Sequence, residues 1–158
     1  MERRDKINHY LDIAETVSRR GTCLKANYGA IIVKNDEIIS TGYTGAPRGR
    51  RNCTDLGYCR LDRHAGEHGR HAGLCRAVHA EANAIVSCAR RDVIGGTLYL
   101  AGLSASTGDY EAEPDCCTLC RMLIINAGVR TVFIRTSRNE YRVVDVDAEW
   151  VANDDTLD

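Results

Sequence analysis

The chain has 158 residues, 44% of them hydrophobic and 27% charged, with a formal net charge of −1. That length and balance fit one globular domain, expected over residues 1–158, and exclude a strongly basic nucleic-acid binder. No apolar run approaches the ~20 residues that span a bilayer, and "MERRDKINHYLD" lacks a signal-peptide core, which excludes a membrane partner and points to the cytoplasm.

Residues 4–19 carry Ile7, Tyr10, Leu11, Ile13, Ala14 and Val17 at helical spacing. Two β-rich runs follow, "YGAIIVK" and "EIISTGY", joined by "ND", a dipeptide that favours a two-residue hairpin turn. Residues 44–76 are rich in Gly, Arg and Cys and show little periodicity; so long a loop in a compact domain needs something to tie it down. A second helix is predicted from about His79 to Arg91, and "GGTLYLAGL" reads as a buried strand. The irregular "SASTGDYEAEPD" leads into a third helix, "CTLCRMLIINAG", closed by Gly128 as a C-cap. "VRTVFIR" and "YRVVDVD" read as the last strands, and "AEWVAND" as a short helix before an acidic end. Strands alternating with helices imply an α/β fold with helices on both faces of one sheet.

Eight cysteines in a chain without an export signal point to metal binding or chemistry rather than disulfides. Their setting in Gly-, Asp- and Arg-rich loops indicates zinc. Cys117 and Cys120 form a C-x-x-C pair in the first turn of the third helix, so both sulfurs can face one ion. His79, at the first turn of the second helix, supplies a third ligand. Three protein ligands with one open position is the arrangement of a catalytic zinc. Glu81 sits too near His79 to be a convenient further ligand, yet within reach of a water on the metal. H-x-E with a downstream C-x-x-C is the pattern of zinc-dependent nucleobase deaminases, in which a carboxylate that is not a ligand moves the protons. Alone, C-x-x-C is as commonly a structural zinc knuckle or a redox pair.

The chain resembles the deoxycytidylate (dCMP) deaminase branch of the cytidine deaminase superfamily through "GAIIVKNDEIISTGYTGAPRG", "CRAVHAEANAI", "GGTLYLAG" and "CTLCRMLIINAGV". The resemblance implies a three-layer α-β-α fold around a central five-stranded mixed sheet. It implies hydrolysis of dCMP to dUMP and ammonia, and a cytosolic homo-oligomer, often a hexamer, with dCTP as activator and dTTP as inhibitor. It also implies Ala80 and Thr44 as substrate contacts, although the family has asparagine where this chain has Thr44. Two further departures are Cys116 in the place of the proline before C-x-x-C, where it competes as a ligand, and the longer stretch 104–115.

Members of the family frequently hold a second, structural zinc. Cys23, Cys53, Cys59 and Cys75 are the set expected here, with His64, His68 and His71 as alternatives. Such a site would tie down residues 44–76 and offset an ordering cost of ~1–2 kcal/mol per residue. Cys88 has core spacing and reads as a small hydrophobe. Seven arginines fall between Arg48 and Arg76; among them Arg48, on the Gly-Pro loop after the second strand, is expected at a phosphate or an effector. Tyr43 is placed near the sugar, Thr44 as a hydrogen-bond donor to it, Tyr110 on the base, and Trp150 either on the sheet or in an oligomer contact. Two rival functions are a deaminase of nucleic-acid bases, disfavoured by the net charge of −1 and 6% aromatic content, and a non-catalytic zinc module. The latter has no need of Glu81.

Overall fold

The structure, a computed structural model, describes residues 1–63 and 74–153. Helix α1 (Lys6–Ser18) opens on Asp5, whose carboxylate accepts the Asn8 amide at 2.9 Å and satisfies one of the free N–H groups of the first turn. Strands β1 (Ala26–Lys34) and β2 (Glu37–Tyr43) form the expected antiparallel hairpin. Asn35 and Asp36 both take positive φ, 51° and 66°, as a turn matched to the twist of the strands requires. Strand β3 (Thr97–Ser104) pairs antiparallel with β1 on its other side.

The remaining strands are β4 (Thr131–Arg135), parallel to β3, and β5 (Tyr141–Asp145), antiparallel to β4. The order is β2-β1-β3-β4-β5, a five-stranded mixed sheet. The one parallel pair needs a crossover, and the long helix between β3 and β4 supplies it.

Alternation along β1 and β3 sends successive side chains to opposite faces. Ile31, Val33, Tyr99 and Ala101 meet Tyr10, Leu11 and Ala14 of α1 on one face. Ala30, Ile32, Leu98 and Leu100 meet the helices on the other, through Ala80, Ala84, Ile124 and Ala127. Those central strands are buried on both sides, which gives the three-layer α-β-α arrangement expected.

The described part of the stretch 44–76 is less irregular than its composition suggests, since α2 (Cys53–Leu56) and α3 (Arg60–Arg63) each add one turn. The helix expected at 79–91 is two helices, α4 (Ala80–Val86) and α5 (Arg90–Val93). Between them Ser87 Oγ donates to the Asn83 carbonyl at 2.6 Å and Cys88 Sγ to the Ala84 carbonyl at 3.4 Å, side-chain bonds that compete with continuation of the helix. Helix α6 (Thr118–Ala127) ends at Gly128 with φ of 82°, the left-handed cap expected. The C-terminal segment is a single π-helical stretch, Val146–Val151, that seats Trp150 against the core beside Ile124 and Val144.

The lengthened stretch 104–115 turns back on the sheet, with Leu103 bridging Tyr110 and the Glu111 amide donating to the Gly102 carbonyl at 3.0 Å. It is anchored to α1 by Tyr110 Oη, which donates to Glu15 at 2.8 Å. Arg135, buried at the end of β4, reaches the same Glu15 at 3.0 Å and Asp12 at 2.7 Å. No helix among the described residues is long and apolar enough to cross a membrane.

Candidate metal centre and pocket

Two helix starts meet above the sheet. His79 is the N-cap of α4 and Cys117 the N-cap of α6, both in extended backbone conformation. Helix α4 can come this close because Gly42 of β2 has no side chain: a Cβ there would strike the Ala80 carbonyl and the Ala84 amide. Cys117 Sγ also accepts the Cys120 amide at 3.5 Å, the capping bond of α6, so the C-x-x-C spacing aims both sulfurs the same way.

His79 Nδ1 lies 3.4 Å from Cys117 Sγ and 3.5 Å from Cys120 Sγ. All three donor atoms fall within 4.8 Å of one another. Zinc–sulfur bonds of ~2.3 Å and a zinc–nitrogen bond of ~2.0 Å at a tetrahedral angle put nitrogen about 3.5 Å from sulfur. The group therefore has the dimensions of three corners of a tetrahedral zinc site. Burial, together with the neighbouring Glu81 and Cys117, pushes the Cys120 thiol far up. A divalent cation reverses that preference, since metal ligation takes the thiolate.

Glu81 is 3% exposed and lines a cavity of about 200 Å³ together with His79, Cys117, Tyr28, Thr44 and Asp115. Burial raises its carboxyl above the ordinary range, against the opposing pull of its own backbone N–H and the charge of His79. A buried carboxyl in this wall is placed to take a proton and return it. Cys116 does not join the donor group: it is 2% exposed in the apolar cluster between α4 and α6, and its amide donates to the Asp115 carboxylate at 2.7 Å.

The expected substrate residues fall in different places. Thr44 lines the cavity, but its hydroxyl is engaged with the backbone of Tyr28, accepting the amide at 3.0 Å and donating to the carbonyl at 3.4 Å. Ala80 is fully buried, with its methyl group in the core. Arg48 donates to Ser87 Oγ at 3.1 Å and does not line the cavity. Tyr43 is partly exposed, its carbonyl accepting from Asn83 at 2.8 Å, and Tyr110 faces α1.

The aromatic residue in the cavity is Tyr28, which the motifs did not indicate. Strand alternation carries the signal: Tyr28, Ala30 and Ile32 share the face that packs on α4 and α6. Burial first, then Glu111 and Glu81, pushes the Tyr28 phenol up to about 12, so it stays neutral.

Cys23, Cys53, Cys59 and Cys75 are brought together although they come from four separate places in the chain. Burial raises the Cys53 thiol, and Cys23, Cys59 and Cys75 are near enough to raise it further. They are spaced more widely than the first group, which is the only set of three or more donors within 4.8 Å among the described residues. Cys23 and Cys75 also line the cavity. His64, His68 and His71 lie outside the described residues. Cys88 is half-buried against the core.

The family model for the cytidine and deoxycytidylate deaminase zinc-binding region matches residues 4–136. The chain belongs to that family. The deoxycytidylate deaminase of Mycobacterium phage D29 is 35% identical over 134 residues, 84% of this chain and 95% of the phage protein. The deoxycytidylate deaminase of Schizosaccharomyces pombe is 29% identical over 132 residues, again 84% of this chain but 37% of the yeast protein. Among solved structures, the dCMP deaminase of cyanophage S-TIM5 in complex with dCMP and dUMP superposes with a TM-score of 0.57 at 26% identity, covering 85% of this chain and 84% of that one. The cytidine deaminase of Burkholderia pseudomallei, 17% identical with a TM-score of 0.56 over 89% of this chain and 93% of its own, shares the fold. Within this zinc-binding deaminase family, His79, Cys117 and Cys120 are, among the described residues, a group of side chains that could hold a metal ion.

Proposed function

We propose that this chain, acting as one unit over residues 1–158, catalyses the zinc-dependent hydrolysis of dCMP to dUMP and ammonia. The observation that carries the reading is the placement of Glu81: a buried carboxyl that belongs to no ligand set, in the wall of a cavity shared with His79 and Cys117. A purely structural zinc needs no such group.

His79, Cys117 and Cys120 would hold zinc. Bound there, zinc would lower the pKa of water toward ~7 and so would supply the nucleophile for the amidine carbon of the base. Glu81 does the proton work. Its carboxylate accepts a proton from the water and delivers it to the ring nitrogen. It then passes the second to the departing amine, so the C–N bond is exchanged for C=O and ammonia leaves. Tyr28 and Thr44 form the wall against which the nucleotide lies, Thr44 acting through the strand end it fastens. The relatives and the solved neighbour named for dCMP support the choice of nucleotide.

The same reading includes a second, closed zinc site on Cys23, Cys53, Cys59 and Cys75. Two observations support it: the gathering of three other free cysteines around Cys53, and the buried Nε–H of Arg76 near that cluster, which has no hydrogen-bond partner among the described residues. An anionic thiolate cluster would supply the missing acceptor. A cytoplasmic homo-oligomer, a hexamer by family resemblance, with dCTP as activator and dTTP as inhibitor, completes the proposal; sedimentation with and without each nucleotide tests that part.

The direct test is turnover by the zinc-loaded protein of dCMP, dCTP, CMP, cytidine and a single-stranded oligonucleotide. Preference for dCMP is expected. Turnover of the oligonucleotide alone would transfer the protein to the rival class of nucleic-acid deaminases.

A further inference from the structure

A nucleoside monophosphate brings a dianion to this cavity, and the cavity wall is poorly suited to it. Glu81 and Asp115 are both carboxylic, and, Lys25 and the metal-site His79 aside, the other lining groups, Tyr28, Thr44, Ala26 and Ala77 among them, carry no positive charge. Two nearby arginines are already spent: Arg121 and Arg142 grip Asp115 at 2.6 and 2.9 Å. Arg48 lies away from the lining, on Ser87. Among the described residues one cation lines the cavity, and it is Lys25.

Lys25 is well set for an anion. It stands one residue before β1, where its carbonyl accepts the Ala105 amide at 2.8 Å and its amide donates to Cys23 Sγ at 3.4 Å, so the backbone is fixed while the side chain is half-exposed at the mouth. Its ammonium group pairs with Asp62 of α3 at 2.5 Å, on the one-turn helix that follows Cys59. An exposed pair of this kind contributes little and exchanges readily for a doubly charged partner.

We propose that Lys25 reads the 5′-phosphate of the nucleotide, and that Asp62 holds the ammonium group at the cavity mouth until the phosphate takes its place. This rests on the dCMP reading above and extends it to the residue that separates nucleotide from nucleoside. Lysine suits the task as a mobile point charge, whereas Arg121 and Arg142 are each held by an ion pair with Asp115.

The test uses the full-length, zinc-loaded protein and three variants, Lys25→Met, Asp62→Asn and Arg48→Met, assayed on dCMP and deoxycytidine. Binding of dUMP and deoxyuridine is followed in parallel by calorimetry. Lys25→Met should raise KM for dCMP and weaken dUMP binding about tenfold, with kcat and both nucleoside measurements unchanged. Asp62→Asn should lower KM for dCMP, because the competing carboxylate is gone. The inference is overturned if folded, zinc-loaded Lys25→Met keeps the parent's preference for dCMP over deoxycytidine, or if Arg48→Met loses that preference instead. An unchanged KM in Asp62→Asn removes the role given to Asp62. A parent protein that deaminates deoxycytidine but no nucleotide would show that the dCMP reading itself is at fault, a result distinct from failure of the Lys25 variant alone.

Discussion

His79 Nδ1 stands 3.4 Å from Cys117 Sγ across a separation of 38 residues. Neither side chain is brought there by its own helix alone. The contact depends on α4 lying flush against β2 at Gly42 and on α6 starting beside it after the crossover from β3. The sheet thus holds two helix mouths at the separation that one tetrahedral ion needs.

Metal content gives the first prediction. Elemental analysis of the parent protein should find about two zinc ions per chain, and Cys53→Ser should retain one. Cys53 is the cysteine that the other three surround, so its loss should open the second site and leave His79, Cys117 and Cys120 loaded. A single ion in the parent would remove the four-cysteine proposal and leave the catalytic centre in place.

Thr44→Val keeps the shape of a buried residue and removes the hydroxyl that accepts the Tyr28 amide at 3.0 Å. An amide left without that partner costs about 1 kcal/mol or somewhat more. The melting temperature should fall by about 2–4 °C per kcal/mol for a chain of this size. Because Tyr28 lines the cavity, KM for dCMP should rise as well. Differential scanning calorimetry with steady-state kinetics checks both, and a variant with unchanged melting and KM would contradict the clasp.

Acid should weaken the anchor on the opposite face of the sheet. Burial alone would raise the Glu15 carboxyl, but Tyr110, Arg135 and Arg19 together bring it below its ordinary value. A carboxyl depressed in the folded state adds stability that is fully present above its unfolded value of about 4.3 and is lost as pH falls through the lower folded value. Glu15→Gln lacks that titration. The stability gap between parent and variant, from urea unfolding at matched zinc content, should therefore shrink as the pH drops from about 6 to about 3. A gap independent of pH would contradict the assignment.

Local signals were readable where one short segment decides the structure. "ND" becomes a hairpin turn because both residues tolerate positive φ, and Gly128 caps α6 for the same reason. His79 and the C-x-x-C pair were legible because helix geometry converts their spacing into a common direction. The break of the second helix at Ser87 was hidden, since apolar periodicity continues through a point where side-chain bonds to Asn83 and Ala84 end the helix. The π-helical turn carrying Trp150 follows from packing against α6, which no local pattern contains. The choice of aromatic residue in the cavity was also tertiary. Tyr110 stands in the stretch 104–115 before α6, yet its bond to Glu15, which Arg135 also holds, draws it to α1, while strand alternation turns Tyr28 inward.

The account rests most directly on Glu81, and Glu81→Gln tests it, read as kcat on dCMP beside zinc content and melting temperature. The amide occupies the same volume but cannot carry a proton between water, ring nitrogen and amine. The zinc content and fold should match the parent, while kcat drops by about 10²–10⁴-fold. A variant that deaminates dCMP at the parent's rate with its zinc in place would contradict the mechanism.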